Sequence, residues 1–197
     1  MDYTRLTLAE VCGALEAVAR DTQATFSQLG DRPLNWRPDE TRWSVAQCFE
    51  HLLTANGLLL VAARHAVSNP PSSVWQRVPL APAIFGQLMI RSQSPTSTGK
   101  YNAPATAQPT ASEISRDIID RFVGQQCDAA AWMRTLEQGR AARCIMISPF
   151  VRFLTYSVLD GSRLLVAHDR RHFEQACRAM QSPWFPASWL LRSKHAE

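Results

Sequence analysis

An all-α fold, a four-helix bundle, is what this sequence predicts, and three observations carry the expectation. Four segments repeat apolar residues at steps of three and four, the mark of a helix with one buried stripe. Capping signals stand at helix starts where those stripes begin. Between the second and third segments lies a long Pro/Ser/Thr-rich stretch, Ser68–Ser112, which holds seven of the twelve prolines. A crossover of that length lets two helices run parallel or diagonal, which short turns forbid. No repeat and no strand alternation competes with this reading.

The first helix is expected from Leu8 to Leu29. Leu8, Val11, Cys12, Leu15, Val18, Ala19, Thr22 and Phe26 form its stripe, Thr7 with Glu10 makes a capping box, and Gly30 stands where a left-handed C-terminal residue belongs. A loop, Asp31–Trp43, follows with two prolines and two tryptophans. Ser44 and Gln47 form a second capping box, with Trp43 placed for a hydrophobic staple, and the second helix runs from Val45 to Val67, before Asn69-Pro70-Pro71. Its main stripe is Val45, Cys48, Phe49, Leu52, Leu53, Asn56, Leu59, Leu60 and Ala63. A weaker stripe of His51, Ala55, Leu58 and Ala62 lies to one side, so the helix packs on more than one neighbour. Within the crossover one short helix is expected around Ala83–Arg91. The third helix spans Glu113–Glu137, and an irregular apolar stretch, Cys144–Tyr156, precedes the fourth, Val158–Met180, which Ser157 and Asp160 cap and Pro183 and Pro186 end.

The 197 residues, 46% apolar and 19% charged, suit one domain over 1–197, with 68–112 as a crossover insertion and 187–197 as a polar tail. The formal net charge is +4, and the tightest basic clusters, Arg140/Arg143 and Arg170–Arg171, are too sparse for a nucleic-acid footprint. No helix-turn-helix signal or aromatic-basic face supports DNA contact. No basic n-region precedes an apolar core at the start, and the longest charge-free apolar stretches, Leu52–Ala63 and Val78–Ile90, fall short of a bilayer span. Five cysteines without a CxxC pair read as buried thiols in a reducing compartment. The expectation is a cytoplasmic protein that binds neither membrane nor nucleic acid.

Chemistry concentrates on three of the five histidines. His168 and His172 are four apart in the fourth helix, so both rings project from one face a turn apart, the spacing that lets one helix give two imidazoles to a metal. A solvated pair beside Asp169, Arg170 and Arg171 is the competing reading. His51 is the natural third ligand, lying on the weaker apolar flank of the second helix, where an imidazole without a partner is poorly satisfied. A core histidine bonded to a backbone or side-chain group is its alternative. His65, in the last turn, reads as a cation at the carbonyl end of its helix, and His195 belongs to the tail.

Leu34-Asn35-Trp36-Arg37-Pro38, then Trp43-Ser44-Val45-Ala46-Gln47 and His51-Leu52, resemble the opening motif of the DinB-like (YfiT-like) superfamily. His168-Asp169-Arg170-Arg171-His172-Phe173-Glu174-Gln175 is similar to its closing motif, and Ser182-Pro183-Trp184-Phe185-Pro186 to its tail. The resemblance covers the chain from the first helix to Pro186, except Ser68–Ser112. It implies a bundle whose three histidines, here His51, His168 and His172, bind one divalent metal, often nickel or zinc, commonly within a homodimer. Characterised relatives include S-transferases that use a low-molecular-weight thiol (bacillithiol or mycothiol), a thiol-dependent maleylpyruvate isomerase and metal-dependent hydrolases. A small-molecule substrate follows from that likeness.

Three imidazoles leave coordination positions open, as in catalytic sites, whereas structural zinc is closed by four protein ligands. Such an ion can activate water or a thiolate. Gln175 projects about 20° from His168 at 100° per residue and is read either as a catalytic candidate that bonds a metal-bound water or ligand or as a buried polar group of the bundle. Asp169 is offered either as the partner that orients a ligand imidazole or as a surface pair with an arginine. Glu50 and Glu174 project away from the histidine face, so no carboxylate is placed as a general base, which disfavours hydrolysis. Cys48 and Cys177 read as core residues. Trp36 and Trp43 are expected to pack the bundle's end near His51, and Trp75, Trp132, Trp184 and Trp189 serve packing or a dimer surface. The readings are thus a metal-dependent transferase or hydrolase, a non-catalytic metal-stabilised small-molecule-binding or dimeric stress-related protein, or a bundle whose site has eroded.

Overall fold

The computed structural model of the chain describes residues 1–78, 80–97, 99, 104–110 and 113–186. The four expected long helices are α1 (Leu8–Phe26), α3 (Val45–Ser68), α5 (Asp117–Arg134) and α7 (Val158–Met180), with short α2 (Asp31–Asn35), α4 (Ala81–Gln93) and α6 (Gln138–Arg143) between them. Both capping boxes form, with Thr7 and Glu10 bonded reciprocally at α1 and Ser44 and Gln47 at α3. At α7 the Ser157 side chain accepts from the Asp160 N–H. The Asp160 carboxylate turns instead to Arg163, 2.8 Å away.

One phenylalanine from each long helix meets in a single layer. Phe26 of α1 packs on Phe49 of α3 (centroids 5.1 Å apart) and on Phe173 of α7 (5.5 Å), and Phe49 packs on Phe122 of α5 (4.9 Å). From this layer α1 and α7 run together, and α3 and α5 run together in the opposite sense. The largest contacts are the antiparallel pairs α1 with α5 and α3 with α7. The crossover therefore makes α3 and α5 parallel neighbours, which its length permits. Beyond the aromatic layer is a buried polar knot: Asn56 Nδ2 donates to Asp169 Oδ1 at 2.8 Å, beside the fully buried Gln126. By length and composition α3 could cross a membrane, but most of that stretch is buried against the other helices.

Several expectations are corrected. Gly30 is not a left-handed cap: α1 ends at Phe26 with Ser27 as its cap, and Gly30, extended at φ −76°, leads into α2, so the expected loop Asp31–Trp43 begins as a helix. Pro33 fits there, since a first-turn N–H has no helical partner. The third helix starts at Asp117 and not at Glu113. Asn35 grips both sides of Ile114, accepting from its N–H (2.9 Å) and donating to its carbonyl (2.8 Å), and Asp31 accepts from the Arg116 N–H, so tertiary bonds claim the groups a longer helix would use. The apolar stretch before α7 is an antiparallel hairpin, β1 (Ile145–Ile147) against β2 (Thr155–Ser157), with Met146 opposite Tyr156. Three apolar residues are too few for alternation to announce a strand. Of the five thiols only Cys12 and Cys48 are buried, and Cys127 is exposed.

The described part of the crossover is ordered around α4, which lies on α7 and β2 and leaves Leu80, Ile84 and Leu88 exposed. It approaches α7 so closely that a Cβ on Gly86 would lie 2.7 Å from Asp160 Oδ2 and 2.9 Å from its Cβ. Gly→Ala inside a helix ordinarily stabilises by roughly 0.5–1 kcal/mol. Here the sign is expected to invert: Gly86→Ala should cost about 1–3 kcal/mol through overpacking against a side chain that Arg163 holds in place. Urea unfolding of the two proteins checks this.

Candidate metal centre

The α3–α7 seam positions the three histidines. The Ser44 cap starts α3 directly after Trp43 and sets His51 on the flank that faces α7. The Ser157 cap starts α7 and carries His168 and His172 on adjoining turns of one face. Antiparallel packing brings the rings together. His51 Nε2 is 3.2 Å from His168 Nε2, and the His172 ring centroid is 4.7 Å from each of the other two. One ring nitrogen from each lies within 4.8 Å of the others. His51 and His172 are buried, and His168 keeps part of its surface accessible.

The proton of His51 is located by its partner. Its Nδ1 lies 2.6 Å from the Ala107 carbonyl oxygen, which can only accept, so Nδ1 carries the hydrogen and Nε2 presents a lone pair toward His168. Two nitrogens bound to one ion at about 2.0–2.1 Å stand roughly 2.9–3.4 Å apart for angles between octahedral and tetrahedral, so the 3.2 Å separation suits a shared cation. His172 Nδ1 is buried with no hydrogen-bond partner among the described residues. These residues fit a divalent ion, for they supply uncharged nitrogen donors at ligand spacing.

Burial governs the electrostatics. It pushes His168 down to about 3, with His51 and Arg171 adding to the effect, and holds His172 well below its usual value, helped by both neighbouring imidazoles. The Gln175 amide, beside His172, offsets this slightly. Burial also lowers His51, against the opposing bond to Ala107. All three are therefore neutral at physiological pH, the form that ligates. Trp43 covers the cluster, stacked on His172 at 5.6 Å and 19° and tilted over His51 at 5.0 Å.

Each expected residue can now be placed. His51, His168 and His172 come together, and both alternatives for them meet the structure: the α7 pair is not a solvated one, while His51 does have the backbone partner a core histidine would seek. Asp169 is neither the partner of a ligand imidazole nor a surface ion pair. It points into the core, fully buried, bonded to Asn56, and burial raises it to about 8. Glu174 is exposed, and Glu50 faces the crossover backbone. Cys48 is outside the cluster, its thiol pushed up to about 12 by burial, and Cys177 is half-buried away from it. Trp36 packs on Phe185, Arg64 lies over Trp132, and Trp75 and Trp184 are exposed. His65 is exposed at the end of α3, while Trp189 and His195 lie outside the described residues. Sequence reasoning missed Ala107, because a main-chain carbonyl leaves no trace in residue type.

The family model of the DinB superfamily matches residues 14–176, and the chain belongs to that superfamily. No curated protein and no solved structure matches it.

The shifts predict how stability of the metal-free protein depends on pH. Below about pH 6.5, the ordinary histidine value, the unfolded chain takes up protons that the three folded imidazoles refuse, so stability falls as the pH drops. Asp169 works in the opposite direction: the fold keeps its proton up to about 8 while the unfolded chain releases it near 3.8, so this contribution fades as the pH rises between them. Three opposing groups outweigh one below about pH 6.5, and only the aspartate acts above it, so the melting temperature should peak at about pH 6.5–7. Asp169→Asn should flatten the decline between the peak and about pH 8. Circular-dichroism melts across that range check both limbs.

Proposed function

We propose that this chain is a divalent-metal-dependent enzyme in which His51, His168 and His172 hold one nickel or zinc ion, and that it joins a low-molecular-weight thiol through its sulfur to a small electrophilic molecule. The observation that supports the reading is the convergence of three neutral imidazoles at ligand spacing with no carboxylate or thiol of the described residues among them. Three protein ligands leave room for an exchangeable one, unlike a closed structural site. A bound ion supplies Lewis acidity, lowering the pKa of a thiol or of water toward neutrality.

The chain's own groups favour sulfur over water as the nucleophile. Hydrolysis calls for a base to take and return protons, and among the described residues no carboxylate stands at the histidines. A thiol, ordinarily near pKa 8.5, needs only to lose its proton to solvent, after which sulfur bonds to the electrophilic carbon and the leaving group departs with its electron pair. His51 would be kept from acting as the base by the ion itself, which would take the Nε2 lone pair that the Nδ1–H bond to Ala107 leaves free. Trp43 walls one side with an aromatic surface suited to an apolar portion of the substrate. Gln175, beside His172, is a polar side chain at one of the three histidines. The reading extends to a cytoplasmic homodimer, which membership of the superfamily supports.

Elemental analysis of protein purified without a polyhistidine tag should find about one divalent ion per chain, lost in His51→Ala, His168→Ala and His172→Ala. Chelation should lower the melting temperature of the wild type and leave the variants unmoved. Thiol-dependent turnover of model electrophiles should fall at least about 100-fold in His168→Ala, on the scale seen when a metal centre loses a ligand or its support. Metal and small-molecule stabilisation without product would instead identify a binding protein, and a wild type that takes up neither nickel nor zinc would overturn the reading.

A further inference from the structure

We infer that Glu50 is a positioning residue for the histidine cluster: through Thr110 it anchors the end of the crossover whose Ala107 carbonyl selects the tautomer of His51. The inference rests on the metal-centre reading for its purpose, though not for its geometry. Glu50 and His51 lie one turn beyond Gln47 on α3, at i+3 and i+4, and all three reach the same short run of crossover backbone. The Glu50 carboxylate accepts the Thr110 N–H at 2.7 Å and its hydroxyl at 3.1–3.2 Å. Gln47 Nε2 donates to the Thr110 carbonyl at 3.0 Å, while its Oε1 completes the capping box at Ser44. Thr110 is thus held by both polar groups of its main chain.

Three residues earlier, the turn Ala105–Ala107 closes with the Ala107 N–H on the Pro104 carbonyl at 2.8 Å, and Ala107 is 1% exposed. Its carbonyl then meets His51 Nδ1. Between the two anchor points lies Pro109, whose ring restricts φ and shortens the range of paths from Thr110 back to Ala107. The consequence is chemical. A neutral imidazole can carry its hydrogen on either nitrogen, and only the Nδ1–H form turns a lone pair at Nε2 toward His168. A carboxylate is a stronger acceptor for a main-chain N–H than a neutral group, so Glu50 suits the role although it faces away from the metal side of the helix. The crossover therefore supplies a structural part of the centre.

The test uses the full chain, metal-free, with ring-15N histidine, and reads the His51 tautomer from two-bond 1H–15N correlations near pH 7.5. The wild type should show Nδ1 protonated and Nε2 bare. Glu50→Ala should mix the two tautomers and weaken zinc or nickel affinity about 10–100-fold. Glu50→Gln, whose side-chain oxygen can still accept from Thr110, should stay within about threefold of the wild type and keep its tautomer. Thr110→Pro, which deletes the N–H itself, should reproduce Glu50→Ala and serves if that variant does not fold. An Nε2–H tautomer in the wild type, or an unchanged tautomer and affinity in both Glu50→Ala and Thr110→Pro, would overturn the inference. A wild type with the expected tautomer, mixed in Glu50→Ala, that takes up no ion would uphold the positioning and overturn the metal reading alone.

Discussion

The register of α3 against α7 is the constraint on which the rest of this structure depends. Asn56 and Asp169 meet across that seam at 2.8 Å in a fully buried setting, and His51 faces His168 from a point just over one turn before Asn56 on α3 and next to Asp169 on α7. A slip by one helical turn, about 5.4 Å, would strand a buried carboxyl group without its donor and separate the imidazoles beyond any common ligand. Apolar stripes tolerate such slips, because leucine packs on leucine in either register. The polar pair does not, so it selects one alignment out of several that hydrophobic burial would accept.

Burying three imidazoles together has a cost that the fold accepts. Each ring is denied the charge it could carry in water, and His172 Nδ1 sits without a partner among the described residues. Local rules are broken in this way at functional sites, where the compensation comes from a ligand. The same burial keeps the nitrogens unprotonated and so available, and Trp43 adds an aromatic cover at the one end of α3 where the capping box brings it close. Stability and readiness to bind are opposite readings of one arrangement.

The crossover joins these themes. Arg171, beside the histidines on α7, donates to the carbonyls of Ser92 and Gly99, and α3 holds Thr110 and Ala107 from the other side. The connection between α3 and α5 is thereby tied to both histidine-bearing helices. Its composition, rich in proline and poor in apolar stripes, gives no sign of this, since the bonds run from its main chain.

Helix type, the starts of α1, α3 and α7 and the three histidines follow from the sequence itself, because the 3.6-residue period, the Ser and Thr caps and the four-residue spacing of His168 and His172 are local facts of covalent geometry. The family likeness adds the donor set through residues a motif can carry. Tertiary structure decided what depends on distant partners: the late start of α5 under the grip of Asn35, the hairpin before α7, the inward turn of Asp169 and the carbonyl of Ala107 on His51. The physical reason is common to all four. A residue's type sets which bonds it can make, but which of them it makes is settled by the group that folding places against it, and backbone donors and acceptors are the same in every residue.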